Sequence, residues 1–356
     1  MPTVRVATFN VENLFSRAKV LNFKNNLEGD QLLFKINELK KELSKLTYDK
    51  PKILKLYNEL KDYISISETR EKLFDRYKTK VVANGVNDWD GFISFKREKF
   101  DEGARKNTAK VIRTVNPDIC CMIEVESRPV LKYFSSERLA KTNAFANYPY
   151  LMLIDGNDNR GIDVGIASRF PIRRIYSHID DKDGKSSIFS RDCLELEIES
   201  PVGTIWMLLN HFKSKGYGDQ DTSNKKRTKQ AEEVAKILKR YDLKNDKVVV
   251  AGDLNDTPDS SPLAPLLNVT NLSEVLETKF PNAEDRWTYH YKKNEQIDYL
   301  LVSKPLLSSL SDAGVERRGI FDVQKFTDGN IQSFDTVKHY IDSASDHGMV
   351  WADFKF

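Results

Sequence analysis

Val248-Val249-Val250-Ala251-Gly252-Asp253-Leu254-Asn255-Asp256-Thr257-Pro258 is the stretch on which the fold turns. Four apolar residues in a row, three of them β-branched, read as a strand buried on both faces. Gly252 then lets the backbone turn sharply. Asp253 and Asn255, two positions apart, project from one side of that turn. A buried strand that ends in a carboxylate and an amide is a place where a sheet can aim chemistry at one point.

Outward from this strand, a helix is expected at about Lys229 to Tyr241, with Ala231, Val234, Ala235 and Leu238 on one face. Short apolar runs recur at Tyr150–Ile154, Val164–Ser168, Cys193–Ile198, Ile205–Asn210, Tyr299–Val302 and Met349–Phe354. Near the N-terminus, Thr3 to Asn10 alternates as a strand. The helix carrying Ala104, Thr108, Val111, Ile112 and Val115 on one face stops at Asn116-Pro117 and leads into a strand, Ile119 to Glu124. Many strands with helices in both halves suggest two packed sheets covered by helices.

One segment breaks this pattern. Apolar residues at 32, 36, 39, 43 and 46, then at 53, 57, 60 and 64, follow heptad-like spacing on either side of Asp49 and Pro51. That predicts an antiparallel helical hairpin. A third helical stretch is expected over Glu68 to Val82. The chain therefore reads as one domain, 1–356, with a helical insertion at about 19–85 after the first strand. From Gln31 to Ile64 the hairpin holds eight lysines against five acids. Its expected role is either to shape substrate binding or to serve as a spacer or self-association arm.

The other chemistry-bearing residues also sit at strand ends. Asn10, Glu12 and Asn13 close the first strand and offer oxygens to a hard cation or a phosphate, although asparagine is also common at plain turns. Glu124 ends an apolar run and is costly to bury unless a cation neutralises it; the alternative is an exposed strand end. His211 closes another apolar strand in Asn210-His211-Phe212-Lys213-Ser214-Lys215. Between Lys213 and Lys229 lie six Lys or Arg and two acids. A lone strand-end histidine is usually structural, but beside a basic loop it reads as a phosphate contact. Gln296-Ile297-Asp298 opens an apolar run with an acid, and Ser345-Asp346-His347-Gly348 sets an acid and an imidazole before the last strand. A carboxylate beside a histidine raises its basicity and fixes its tautomer.

Bulk properties narrow the class. The 356 residues are 40% hydrophobic and 31% charged, ordinary for a globular protein. Mean hydropathy is −0.53, which a solvated insertion accounts for. A net charge of only +3 excludes a whole-surface electrostatic grip on nucleic acid, so polyanion binding must be local. Three cysteines, two of them adjacent, fit reduced thiols on an apolar strand and a reducing compartment. No apolar run reaches bilayer length, and the first ten residues lack a signal-peptide core. A cytoplasmic protein is expected, though a secreted form whose leader had been cleaved would read the same way.

Taken in order, the segments around Asn10, Glu124, Asn210-His211, Gly252-Asp253-Leu254-Asn255, Gln296-Ile297-Asp298 and Ser345-Asp346-His347 resemble the endonuclease/exonuclease/phosphatase superfamily. The resemblance runs from Asn10 to His347, outside the insertion. It implies an α/β fold, a four-layer α/β/β/α sandwich of two mixed sheets flanked by helices, with the site at one end. It implies that Glu124 is the main metal ligand, with Asn10 and Glu12 beside it and Asp346 as a further acid. Family members often carry Asp where this chain has Glu12. Asp253 and Asn255 would orient the attacking water and hold the scissile phosphate. His211 and His347 would contact that phosphate, Asp298 orienting His347. Asp163, in Arg160-Gly161-Ile162-Asp163, falls where the family places the partner of His211. Phe189-Ser190-Arg191-Asp192 is similar to a deoxyribonuclease I segment whose arginine touches the substrate backbone, so Arg191, with Asn10, Arg160 and Lys213, is a substrate-binding candidate.

The chemistry is coherent without the family. A phosphodiester resists attack because its oxygens are anionic, and a cation, two imidazoles and an arginine offset that charge as it builds. The oxygen-rich ligand set implies Mg²⁺, with Mn²⁺ a close substitute. The expected activity is a metal-dependent phosphodiesterase, a DNA or RNA nuclease similar to bacterial nuclease-type members in the Asn210–Gly216 and Arg160–Gly165 segments. Gln296-Ile297-Asp298-Tyr299 departs from the inositol 5-phosphatase signature at that place. The export signal and apolar hairpin of sphingomyelinases are not seen, so no membrane partner is expected. The enzymatic alternative is a small phosphodiester or phosphomonoester. A non-catalytic binding module of the same fold would ordinarily have lost some of these residues.

Overall fold

In the computed structural model, residues 2–14, 26–96, 102–140, 147–158, 161–215 and 219–356 are described. The chain divides into two compact units, one of Met1–Phe15 with Asp101–Phe356 and one of Ser16–Phe100. The first carries the two large sheets expected from the sequence. One runs Leu310–Glu316, Met349–Lys355, Thr3–Leu14, Ile119–Val125, Asp163–Ser168, Tyr150–Leu153. The other runs Leu272–Glu274, Asp298–Ser303, Lys247–Asp253, Gly203–His211, Leu194–Ser200, Ile172–Tyr176.

Each sheet has one parallel pair at its centre. Thr3–Leu14 lies parallel to Ile119–Val125, and Gly203–His211 lies parallel to Lys247–Asp253. Parallel neighbours need a crossover, and helices Glu102–Val115 and Gln220–Leu238 precede the second strand of each pair. The outer pairings to Met349–Lys355, Asp163–Ser168, Asp298–Ser303 and Leu194–Ser200 are antiparallel. Antiparallel strands begin where parallel ones end. The starts of Asp163–Ser168, Asp298–Ser303 and Met349–Lys355 therefore fall at the end of the sandwich where the four central strands stop.

Strand periodicity distributes the core. Val4, Val6, Cys121 and Ile123 point between the sheets and meet Leu196, Met207, Val249, Ala251 and Leu300. The alternate residues Ala7, Phe9, Cys120 and Met122 point outward against Val111, Ile112 and Val115 of the first crossover helix. Val248 and Val250 do the same against Ala231 and Val234 of the second. Burial on both faces is why these strands read as unbroken apolar runs. The three cysteines are buried and free. No helix among the described residues is long and apolar enough to cross a membrane.

Two local expectations change. The second crossover helix starts at Gln220, nine residues before Lys229, because the Asp219 carboxylate caps it by accepting from Thr222 N–H at 2.9 Å. Lys225, Lys226 and Arg227 are thus helical rather than part of a basic loop, and Arg227 is buried, its Nε donating to Asp256 at 2.9 Å. In the Ser16–Phe100 unit, helices Asn26–Leu43 and Lys50–Leu60 form as expected, but the third helical stretch does not. Ile64–Arg70 is a strand paired antiparallel with Asp90–Phe95. The alternation Ile64-Ser65-Ile66-Ser67 has strand period, and the Asp75 carboxylate closes a turn by accepting from Thr79 and Lys80 N–H. This unit has its own core of Ile36, Leu39, Ile53, Leu60, Leu73 and Trp89. The expected start of the insertion, at about residue 19, lies outside the described residues.

Candidate active site

The site forms at the strand ends. In the second sheet His211 registers with Asp253 and Asp253 with Asp298, so three candidate site residues lie side by side. Gly252 has φ +137°, and a Cβ there would overlap the Asn210 carbonyl, so no other residue fits this turn. Beyond it Asn255 takes φ +55°. In the first sheet Glu12 and Glu124, at breaks in the register of their strands, take φ +40° and +67°. Three non-glycine residues in the left-handed region each cost of order 1 kcal/mol, and such strain clusters where side chains must be aimed.

A cavity of about 700 Å³ opens here, lined by Asn10, Glu12, Glu124, Arg191, His211, Asp253, Asn255, Asp346 and His347 among others. Asn10 ties the sheets together, its Nδ2 donating to Asp253 Oδ2 at 3.1 Å and its amide also bonding Glu124. Asp253 Oδ1 accepts from Asn255 N–H at 2.8 Å, and His211 Nε2 lies 3.7 Å from Asp253 Oδ2 and 3.9 Å from Glu124 Oε1. Asn255 Nδ2 donates to the Phe212 carbonyl at 3.1 Å.

Asp298 stands behind His347, bonded to its Nδ1 at 2.8 Å, and also accepts from Thr288 Oγ1 at 2.7 Å. Burial opposes a charge on His347, but the carboxylates of Asp298, Asp346 and Asp253 outweigh it and hold the imidazole well above its ordinary pKa. His347 Nε2 faces the cavity side, 3.6 Å from Asp346 Oδ1. Arg191 is buried, with Nη1 donating to the Phe212 carbonyl at 3.3 Å and Nε 3.2 Å from Asp158.

The carboxylates lean the other way. Burial raises Glu124, with His347 and Arg191 opposing and Asp346 adding. Burial and then the charge of Asp346 hold Glu12 above the ordinary carboxylate range, and Asp346 N–H donates to Glu12 Oε2 at 3.0 Å. Burial first, then Asp298, raises Asp253. Carboxylates crowded into one cavity at such a penalty form an oxygen donor set for a divalent cation. Among the described residues the tightest acid and histidine grouping is Asp253, Asp298 and His347, whose ligand atoms lie within 4.8 Å of one another. His347 Nδ1 and Asp298 Oδ2 are committed to each other, and Asp298 does not line the cavity. The oxygens that face open space belong to Glu12, Glu124 and Asp346, so these fit a cation better.

The remaining sequence candidates fall around this centre. Asp163 opens its strand beside the loop of Asp155 and Asp158 and accepts from Gly156 N–H at 2.9 Å. Burial pushes it up to about 6 against that hydrogen bond. Lys213 anchors its loop, its N–H donating to Gln230 at 2.9 Å, while the neighbours Ser214 and Lys215 line the cavity. Arg160 lies outside the described residues. Sequence reasoning missed Thr288, Tyr289, Tyr291, Lys292, Lys293 and Glu295. The signal was present as Thr288-Tyr289-His290-Tyr291-Lys292-Lys293, an aromatic and basic run just before the acid-led strand at Asp298. Ser345 was also missed: its hydroxyl donates to the Asn10 carbonyl at 2.7 Å and accepts from His347 N–H at 3.0 Å.

Known proteins share this architecture. Among curated proteins no sequence matches the chain. A humanized D. rerio TDP2 carrying 14 mutations superimposes with a TM-score of 0.51 at 14% identity, over 72% of this chain and 94% of that one. D. rerio TDP2 complexed with single strand DNA product gives 0.51 at 14%, over 71% and 92%. Beta toxin from Staphylococcus aureus gives 0.45 at 17%, over 71% and 93%. At such identities the two TDP2 structures speak to the fold alone. The sequence itself settles kinship: residues 76–352, running through Glu124, His211, Asp253, Asp298 and His347, match the profile of the Endonuclease/Exonuclease/phosphatase family, and the chain belongs to that family, whose members are generally metal-dependent phosphoesterases.

Proposed function

We propose that this protein is a divalent-metal-dependent nuclease that hydrolyses DNA or RNA phosphodiester bonds. The observation that carries the reading is the meeting, in one cavity, of the buried Asp253 and the half-buried Glu12, Glu124 and Asp346 carboxylates with two buried imidazoles and a buried arginine. One set suits a cation, the other an anion, and a phosphodiester with its metal needs both.

Glu124, Glu12 and Asp346 would hold Mg²⁺ or Mn²⁺, with the Asn10 carbonyl oxygen beside them. The bound cation would supply positive charge against the phosphate oxygens. Asp253, fixed by Asn10 and Asn255 and raised by burial, accepts the proton of the attacking water as its oxygen bonds phosphorus. His211, Asn255 and Arg191 donate to the phosphate oxygens. His347, kept protonated by Asp298, places its charge where the transition state gains negative charge. The P–O bond to the leaving oxygen then breaks, that oxygen takes up a proton from solvent, and Asp253 releases the water's proton to solvent. Asp163 is assigned to orienting His211, and Arg160 and Lys213 to contacting the substrate backbone.

The D. rerio TDP2 complex with single strand DNA product supports nucleic acid as a substrate that this architecture can hold. The test is a substrate panel of single- and double-stranded DNA, RNA, bis(4-nitrophenyl) phosphate and 4-nitrophenyl phosphate, with Mg²⁺, Mn²⁺ or EDTA. Metal-dependent cleavage of nucleic acid is expected. Hydrolysis of small esters with nucleic acid left intact would overturn the nuclease reading in favour of a small-molecule phosphoesterase.

A further inference from the structure

The chain reaches Asp298 through a small hairpin in which Tyr289–His290 pairs with Asn294–Glu295. Its base is pinned. The Tyr289 ring packs 4.7 Å from that of His347, and the two residues form a backbone bridge. The His290 ring stacks on Phe326 at 3.5 Å, and its Nδ1 lies 2.7 Å from Asn294 Oδ1. Glu295 is paired with Lys215 at 2.9 Å and Lys293 at 3.3 Å.

The tip is different. Tyr291 is 72% exposed, yet it lines the catalytic cavity together with Lys292 and Lys293. A large ring gains nothing for folding when it stands in water, and tyrosine is enriched where an aromatic surface meets a ligand. The tip also lacks the Asn-Gly or Gly residues that a hairpin turn favours, so turn geometry does not account for this choice. Beside the ring, Lys292 Nζ lies 5.7 Å from its centroid, and among the described residues no carboxylate pairs with Lys292. A flat aromatic face and a cation with no carboxylate partner among the described residues, both bordering the same cavity, match a nucleotide, which offers a π-face and a phosphate.

We infer that Tyr291 is a stacking platform for an unpaired base next to the scissile phosphate, with Lys292 contacting the neighbouring phosphate; this rests on the nuclease reading above. In a duplex each base face is covered by its neighbours, so a protruding ring finds a partner only in a single strand or a frayed end. The hairpin thereby selects substrates whose strand is open at the cut.

The test compares wild type, Tyr291→Ala, Tyr291→Phe and Lys292→Ala on one oligonucleotide, either single-stranded or in a blunt duplex, and on bis(4-nitrophenyl) phosphate. Wild type prefers the single strand. Tyr291→Ala raises the single-strand KM about tenfold with little change in kcat, and Tyr291→Phe restores it, because stacking needs the ring and not the hydroxyl. Lys292→Ala lowers the salt slope of single-strand binding by roughly 0.7, one phosphate's share. An unchanged single-strand KM in Tyr291→Ala overturns the inference. So does an equal loss on the blunt duplex and the small diester, since the ring would then serve the cavity as a whole. If wild type hydrolyses bis(4-nitrophenyl) phosphate but no nucleic acid, the nuclease reading itself has failed and the platform with it.

Discussion

Asp298→Asn isolates the charge that sustains His347. Both side chains are buried and their hydrogen bond is 2.8 Å long. Asparagine keeps the shape, and its oxygen can still accept from His347 Nδ1 and from Thr288 Oγ1, which donates at 2.7 Å in the wild type. What disappears is one negative charge about 4 Å from the imidazolium centre, an interaction of about 4 kcal/mol at an effective dielectric near 20. If that charge matters mainly in the transition state, kcat falls by up to about a thousandfold while KM moves little. Steady-state kinetics on bis(4-nitrophenyl) phosphate with saturating Mg²⁺ measure this, with thermal melting run in parallel. A variant whose kcat stays within about threefold of wild type would refute the role given to the pair. So would a lost rate matched by a collapsed melting transition, which would make Asp298 a folding residue.

Three further outcomes follow from other parts of the molecule. Gly252→Ala places a Cβ against the Asn210 carbonyl at φ +137°, so it should cost at least ~3 kcal/mol in urea unfolding, and a variant as stable as wild type would contradict the strand geometry. His178 lies 2.8 Å from Asp181 and 3.2 Å from Glu195, and although burial opposes its charge those carboxylates raise its pKa above 6.5. Its contribution is complete below pH 6.5 and fades as pH rises through the folded value, so the melting gap between wild type and His178→Gln should narrow above pH 6.5; a constant gap would refute this. Replacing Ser16–Phe100 by a Gly/Ser linker should leave bis(4-nitrophenyl) phosphate hydrolysis intact, since the site residues all belong to the other unit. Lys40, Lys41, Lys55 and Lys61 pair with no carboxylate among the described residues, so the salt slope for long nucleic acid should shrink by up to roughly 3. An unchanged slope would exclude a substrate role for this unit, and a changed oligomeric state would point to self-association.

The sandwich was legible in the sequence because its central strands are buried on both faces. Val248–Ala251 and Ile119–Ile123 leave no other reading, and the helix stopped by Asn116-Pro117 marks the crossover between parallel neighbours. The polar cluster lining the cavity was legible as a candidate site because each of its residues interrupts an apolar run at its end, as Asp253, Glu124 and His211 do. The failures have local causes. Heptad spacing continued on paper past Leu60, but Ile64 and Ile66 sit two apart and belong to a strand. The basic segment at Lys225–Arg227 reads as a loop because its charges hide a helix whose cap, Asp219, stands well upstream. Tyr291 and Thr288 escaped because nothing in their spacing shows which strand end they approach. Thr288 reaches the site through its hydrogen bond to Asp298, and Tyr291 through the cavity it borders.

Metal-supported hydrolysis held in place by Glu124 is tested most directly by titrating Mg²⁺ into EDTA-stripped wild type and Glu124→Gln, with bis(4-nitrophenyl) phosphate as substrate. Glutamine keeps the volume and the hydrogen bond to Asn10 but removes the charge that faces the cavity. Wild type should be inactive in EDTA and recover along a saturable curve. Glu124→Gln should need on the order of 100-fold more Mg²⁺ and reach a lower plateau. Wild-type turnover that persists in EDTA, or a Glu124→Gln curve that superimposes on that of wild type, would contradict it.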